Sequence, residues 1–126
     1  MKNLHTVTAL IELGAGLALL VCPSATVELL AGAPLETSAA WCVARVGGAG
    51  VLALGVACWI ARDDTESLSA RGLVVAMLFY NIATVAILAF ASIGQGLYGV
   101  ALWPAVILHA VMTGWCVVCL RRSPLK

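Results

Sequence analysis

The chain has 126 residues, 63% of them hydrophobic and 10% charged, with a mean hydropathy of +1.06 and a formal net charge of +1. Soluble domains are about 45–50% apolar and about 25% charged, so the composition excludes a soluble fold and indicates an integral membrane protein. A net charge this close to zero also supplies no basic surface for nucleic acid.

A hydrocarbon core roughly 30 Å thick is crossed by about 20 apolar residues in a helix, and four segments meet that length. The first runs from Leu4 to Cys22. Lys2 followed by an apolar run has the outline of a cleaved signal, but Glu12 in mid-run and the absence of a small residue before Cys22 favour a retained helix. Pro23 and Ser24 end this span. Ser24 is expected to cap a short helix, Ala25 to Leu30, closed by Gly32 and Pro34 and lying on the membrane surface.

The second span, residues 39–60, is followed by the charged connection RDDTESLS. The third covers residues 72–93 and ends at the turn Gly94-Gln95-Gly96; the fourth covers residues 99–120, with Pro104 near its first turn, where a missing amide hydrogen does least harm. No strand pattern appears, and an open sheet cannot sit in lipid. The expected fold is an all-α, antiparallel four-helix bundle in a single transmembrane domain.

Lys2, Arg62, Arg71, Arg121, Arg122 and Lys126 all fall at the N-terminus, the second connection or the C-terminus. Four antiparallel spans place these on one side, which the positive-inside rule makes cytoplasmic. The expected location is therefore the cell inner membrane, with Trp41, Tyr98 and Trp103 near the outer interface and Trp59 near the inner one.

Each span carries one unusual polar residue: Glu12, Arg45, Asn81 and His109. At 1.5 Å per residue they lie roughly 9–18 Å below the outer ends of their helices, which is compatible with one layer. Helical spacing puts His5, Thr8, Glu12 and Gly16 on one face, Asn81, Thr84, Leu88 and Ser92 on another, and His109, Thr113 and Cys116 on a third. Arg45 leads into Ala49, Ala53 and Ala57, small residues that permit close helix contact. Glu12 and Arg45 form the natural ion pair, since intramembrane charge is expensive unless paired. Two readings stay open: a clasp that fixes the bundle, or a polar site that binds a ligand or relays protons. Arg45, the shallowest of the four, could instead snorkel to the outer headgroups.

Of the five cysteines, Cys22 and Cys42 fall at the outer face, where a disulfide would suit an oxidising compartment. Cys58, Cys116 and Cys119 fall toward the inner face, and Cys116-Val-Val-Cys119 has the spacing of redox and soft-metal sites. Free cysteine is also an ordinary small apolar core residue. His5 and His109 differ in depth by about 10 Å or more, so one haem cannot take both. No nucleotide loop, zinc-protease motif or hydrolase elbow is present, and no cofactor or resident metal is expected.

The succession of a first helix ending in Pro23, the segment ELLAG, the helix ARVGGAGVLALGV and a glycine-bearing turn after the third helix resembles the DoxX-like group of small four-helix bacterial membrane proteins. The match in motif is Arg45, Gly47, Gly48 and Gly55; the stretch LYGVALWPAVILHA has no counterpart in it. The resemblance implies a four-helix bundle in the cytoplasmic membrane, and some members of the group are tied to membrane oxidoreductase complexes acting on thiols or quinones. It carries over no catalytic residue. The function expected is a small-ligand-binding, accessory or transport component using the polar layer, with a subunit of a thiol- or quinone-linked oxidoreductase system as the alternative. The partners expected are the lipid bilayer and a second copy or a membrane complex.

Overall fold

The computed structural model describes residues 1–64 and 66–122. The described residues form five helices and no strand: α1 (Lys2–Val21), α2 (Pro23–Ala31), α3 (Ser38–Ala61), α4 (Leu68–Gln95) and α5 (Leu102–Arg122). All but α2 are long and apolar enough to cross a membrane. Lys126, one of the flanking positive charges, lies outside the described residues.

Local chemistry explains the boundaries. Pro23 opens α2 instead of merely ending α1, because a first-turn proline needs no amide hydrogen and its fixed φ suits a helix. Ser24 therefore lies inside α2 and does not cap it: its hydroxyl accepts from the Leu35 amide at 3.1 Å and ties down the following connection. Gly32 closes α2 at φ 77°, a left-handed conformation that favours glycine. Thr37 caps α3 by accepting from Ala40 N at 3.1 Å. Ser67 caps α4 by accepting from Ala70 N at 3.0 Å, so α4 begins four residues earlier than the apolar run alone implies. Ser67→Ala is expected to lower stability by about 1 kcal/mol, read as a shifted unfolding midpoint.

The long helices associate as α1 on α3 and α4 on α5. Along the first pair, His5 meets Ala61, Leu13 meets Gly55, and Gly16 meets Leu52 and Gly48, so the position on α3 falls as that on α1 rises. Along the second pair, Arg71 donates to Leu120 O and His109 meets Asn81, in the same descending order. The seam between α1 and α3 is built on glycine. A Cβ added to Gly16 would fall 2.5 Å from Leu52 N, and one added to Gly55 would fall 2.8 Å from Leu13 N. The close-contact face of α3 is thus Gly48, Leu52 and Gly55. The sequence-based expectation put it on Ala49, Ala53 and Ala57, but those three are exposed. The two sets lie one to two residues apart, and each residue turns the helix by about 100°.

All four long helices supply the apolar core: Leu4 and Ala9, Cys58, Val74 and Met77, and Met112 and Cys116. The outer surface is apolar as well. Leu10, Val43, Phe79, Ile93 and Val111 stand exposed on these helices, Ile93 by 78%. A monomeric soluble protein rarely presents apolar area on this scale.

Asp63, just past the end of α3, joins that helix to the N-terminal end of α1. Lys2 Nζ lies 2.7 Å from Asp63 Oδ1, and its hydrogen bond holds the Asp63 carboxyl below the usual carboxylate range. Both partners are largely exposed, so this pair adds little stability. Hydrogen bonds from the Ser67 side chain and backbone likewise lower Asp64.

Candidate functional site

Moving along α1 from the Lys2 end, the apolar core gives way to a polar layer. Glu12 is 3% exposed, Asn81 1% and His109 9%. These residues come from α1, α4 and α5, and Tyr80 on α4 links them. The Tyr80 hydroxyl donates to Glu12 Oε2 at 3.1 Å. The Tyr80 ring meets the His109 ring edge-on, with centroids 5.6 Å apart. His109 Nδ1 lies 2.7 Å from Asn81 Oδ1.

Proton placement follows from the acceptors. Asn81 Nδ2 donates to the Met77 carbonyl at 2.7 Å, which fixes the amide so that Oδ1 faces His109. An amide oxygen only accepts, so His109 Nδ1 carries the hydrogen; in the neutral ring Nε2 then holds the lone pair. Thr84 and Thr113 flank the layer, but each hydroxyl is turned back onto its own helix, donating to Tyr80 O and His109 O respectively. Chemically, the layer offers a buried carboxyl, a phenol and an imidazole in series, three groups that can each take and give a proton.

Arg45 is not part of this layer. It is exposed on α3, with its guanidinium 5.7 Å from the centre of the Trp41 ring. Among the described residues Glu12 forms no ion pair, and its hydrogen bond goes to Tyr80. The expected Glu12–Arg45 pair is therefore corrected to Glu12–Tyr80. The reason is helical phase: Arg45 shares the outward face with Ala49 and Ala53, while Gly48 and Gly55 turn toward α1. Arg45 instead lines an open groove of about 730 Å³ with Glu36, Thr37, Ser38, Trp41 and Cys42. Arg45→Gln is expected to change the stability of the fold by no more than about 0.5 kcal/mol, as for exposed positions generally, measured by denaturant titration in detergent.

The cysteines fall into an exposed pair and a set in or beside the apolar core. All five are free thiols, so Cys22 and Cys42 form no disulfide and are both exposed. Cys58 and Cys116 are buried in the apolar core, where Cys58 Sγ lies 3.5 Å from Met77 Sδ, and Cys119 is half-buried beside them. No group of three metal-ligating side chains forms among the described residues, so Cys58, Cys116 and Cys119 do not make a three-ligand metal set. His5 is fully buried, and its Nδ1 donates to Ala61 O at 3.2 Å.

Tyr80 is the residue that sequence reasoning missed. The available signal was a tyrosine in the middle of an apolar span, because a buried phenol usually finds a hydrogen-bond partner.

Four long apolar helices with apolar exteriors point to a helical membrane protein as the class. No family model, curated protein or solved structure matches the chain.

Proposed function

We propose that the chain is an antiparallel four-helix bundle spanning the cell inner membrane, with both termini cytoplasmic, and that it serves as a transport or accessory component handling protons at the Glu12–Tyr80–His109–Asn81 layer. The descending order of contacts in both helix pairs supports the antiparallel arrangement. The location of Lys2, Arg62, Arg71, Arg121 and Arg122 at the ends of helices that meet there supports the orientation. In that orientation Arg45 reaches the outer headgroups beside Trp41, a snorkelling arginine with an interfacial aromatic partner. The resemblance to the DoxX-like group is part of this proposal; of its four motif residues, Gly48 and Gly55 lie in the α1–α3 seam.

The observation that carries the proton reading is that buried Glu12 has a neutral phenol and, among the described residues, no cation as its side-chain partner, with an imidazole directly beyond. Ionisable groups inside a membrane are rare and usually mark ion or proton pathways. The test uses purified protein in lipid vesicles that contain a trapped pH indicator, driven by a potassium diffusion potential. The expected result is proton entry faster than in empty vesicles, reduced to the empty-vesicle rate by Glu12→Gln. Wild-type vesicles no faster than empty ones would overturn the reading, and equal rates for wild type and Glu12→Gln would remove Glu12 from it.

A further inference from the structure

The polar face of α1 continues from Glu12 toward the Lys2 end through Thr8 and His5. Both are buried, at 1% and 0% exposure. His5 Nε2 and Thr8 Oγ1 are buried atoms with no hydrogen-bond partner among the described residues. Such groups are rare in native proteins and demand an explanation.

Thr8 departs from a rule that this chain otherwise follows. Thr6, Thr26, Thr84 and Thr113 also stand within helices, and each donates to the carbonyl four residues earlier. Thr8 does not make that bond, although the Leu4 carbonyl stands one turn before it. Its hydroxyl is left without a partner among the described residues. His5 shows a matching asymmetry. Its Nδ1 donates to the Ala61 carbonyl, so in the neutral ring the unpartnered Nε2 is an acceptor. At Glu12, Oε2 takes the Tyr80 hydrogen bond, which leaves Oε1 as the second acceptor of the carboxyl.

We propose that His5 Nε2 and Thr8 Oγ1 bind ordered water that connects the Lys2–Asp63 end of the molecule with Glu12 Oε1. The spacing suits it. His5 to Thr8 is three residues and Thr8 to Glu12 is four, so the steps along the axis are about 4.5 and 6 Å. Two hydrogen bonds of about 2.8 Å through one water span the first step, and the longer Glu12 side chain, tilted toward the helix N-terminus, shortens the second. The donors and acceptors alternate as a water chain needs: an imidazole lone pair, a hydroxyl that both donates and accepts, and a carboxyl oxygen. A buried water satisfies groups of this kind with about three hydrogen bonds. The Lys2 end of this water chain opens to solvent, because Ala61, which holds His5, is followed by Arg62 and the exposed Asp63 and Asp64.

This inference supplies the proposed proton layer with a route to one membrane surface, and it rests on that reading only for the purpose of the water, not for its presence. The chain has two histidines, so the full-length protein labelled with ¹⁵N-histidine in lipid vesicles gives two imidazoles, assigned with His5→Gln. Solid-state NMR with magnetisation started on water is expected to reach the His5 ring, with Nδ1 protonated. Thr8→Val, which keeps the side-chain shape, is expected to lose that transfer, and Thr8→Ser to retain it. No transfer from water to His5 in the wild type would overturn the proposal, as would transfer undiminished in Thr8→Val. Should Thr8→Val not fold, the wild-type and Thr8→Ser spectra still decide. Hydration of His5 together with proton entry unaffected by Glu12→Gln would sink the proton reading alone.

Discussion

Gly16→Leu is expected to abolish the α1–α3 seam and with it the folded protein. The nearest atoms to an added Cβ are backbone: Leu52 N at 2.5 Å, Leu52 Cα at 2.7 Å and Gly48 O at 2.8 Å. Backbone cannot rotate aside as a side-chain terminus can, so the helices must separate. Inserting a few methylenes into a tight core already costs about 1–3 kcal/mol, and occasionally more; a separated seam would also strip the contacts at Gly48 and Gly55. Even Gly16→Ala should be strongly destabilising. The controls lie on the same helices. Gly14 and Gly47 have nothing within 4 Å of an added Cβ, so alanine there should be harmless or stabilising by up to about 1 kcal/mol from helix propensity. Unfolding midpoints in mixed detergent give the comparison, and equal effects at Gly16 and Gly14 would contradict the seam.

Asn81→Leu is expected to produce the second large loss. The substitution leaves the His109 Nδ1 hydrogen, now bonded at 2.7 Å, without an acceptor in a buried site. An orphaned buried donor costs about 1–3 kcal/mol, whereas replacing both partners by apolar groups of similar shape can be nearly neutral. Asn81→Leu combined with His109→Phe should therefore be more stable than Asn81→Leu alone. If the double variant instead shows the sum of the two single losses, the pair is not the closed unit described here.

Much of the fold is legible in the sequence because the signal is coarse and physical. Runs of about twenty apolar residues mark the four long helices, and Gly32 marks the end of α2 with a left-handed residue. What was misread concerns rotation about the helix axis. The stripes containing Glu12, Asn81 and His109 turn inward in the structure, since each carries several polar residues that cannot all face outward. The stripe at Arg45 was misread because α3 is small on two sides, with Ala49, Ala53 and Ala57 on one and Gly48 and Gly55 on the other. Alanine permits close approach, but glycine permits closer, and α1 took the glycine side. Arg45 went outward with the alanines, where Trp41 covers one face of its guanidinium.

Tyr80 escaped notice for a related reason. It follows Phe79 in an apolar run, and only the tertiary structure shows that it comes within reach of a carboxyl on a helix 68 residues away in sequence. His5 and Thr8 were legible as members of the α1 polar face. How completely they are buried depends on how close α3 approaches, and the α1–α3 glycine seam sets that distance.

The most direct test of the polar layer is a pair of double-mutant cycles that share Glu12→Gln, one with Tyr80→Phe and one with Arg45→Gln, followed by unfolding in detergent. Groups in contact show coupling of about 0.5–3 kcal/mol, whereas separated ones add within about 0.3–0.5 kcal/mol. The expected result is clear coupling between Glu12 and Tyr80 and none between Glu12 and Arg45. Coupling to Arg45 with none to Tyr80 would mean that Glu12 faces α3 and not α4, and the layer built from Glu12, Tyr80, Asn81 and His109 would fall.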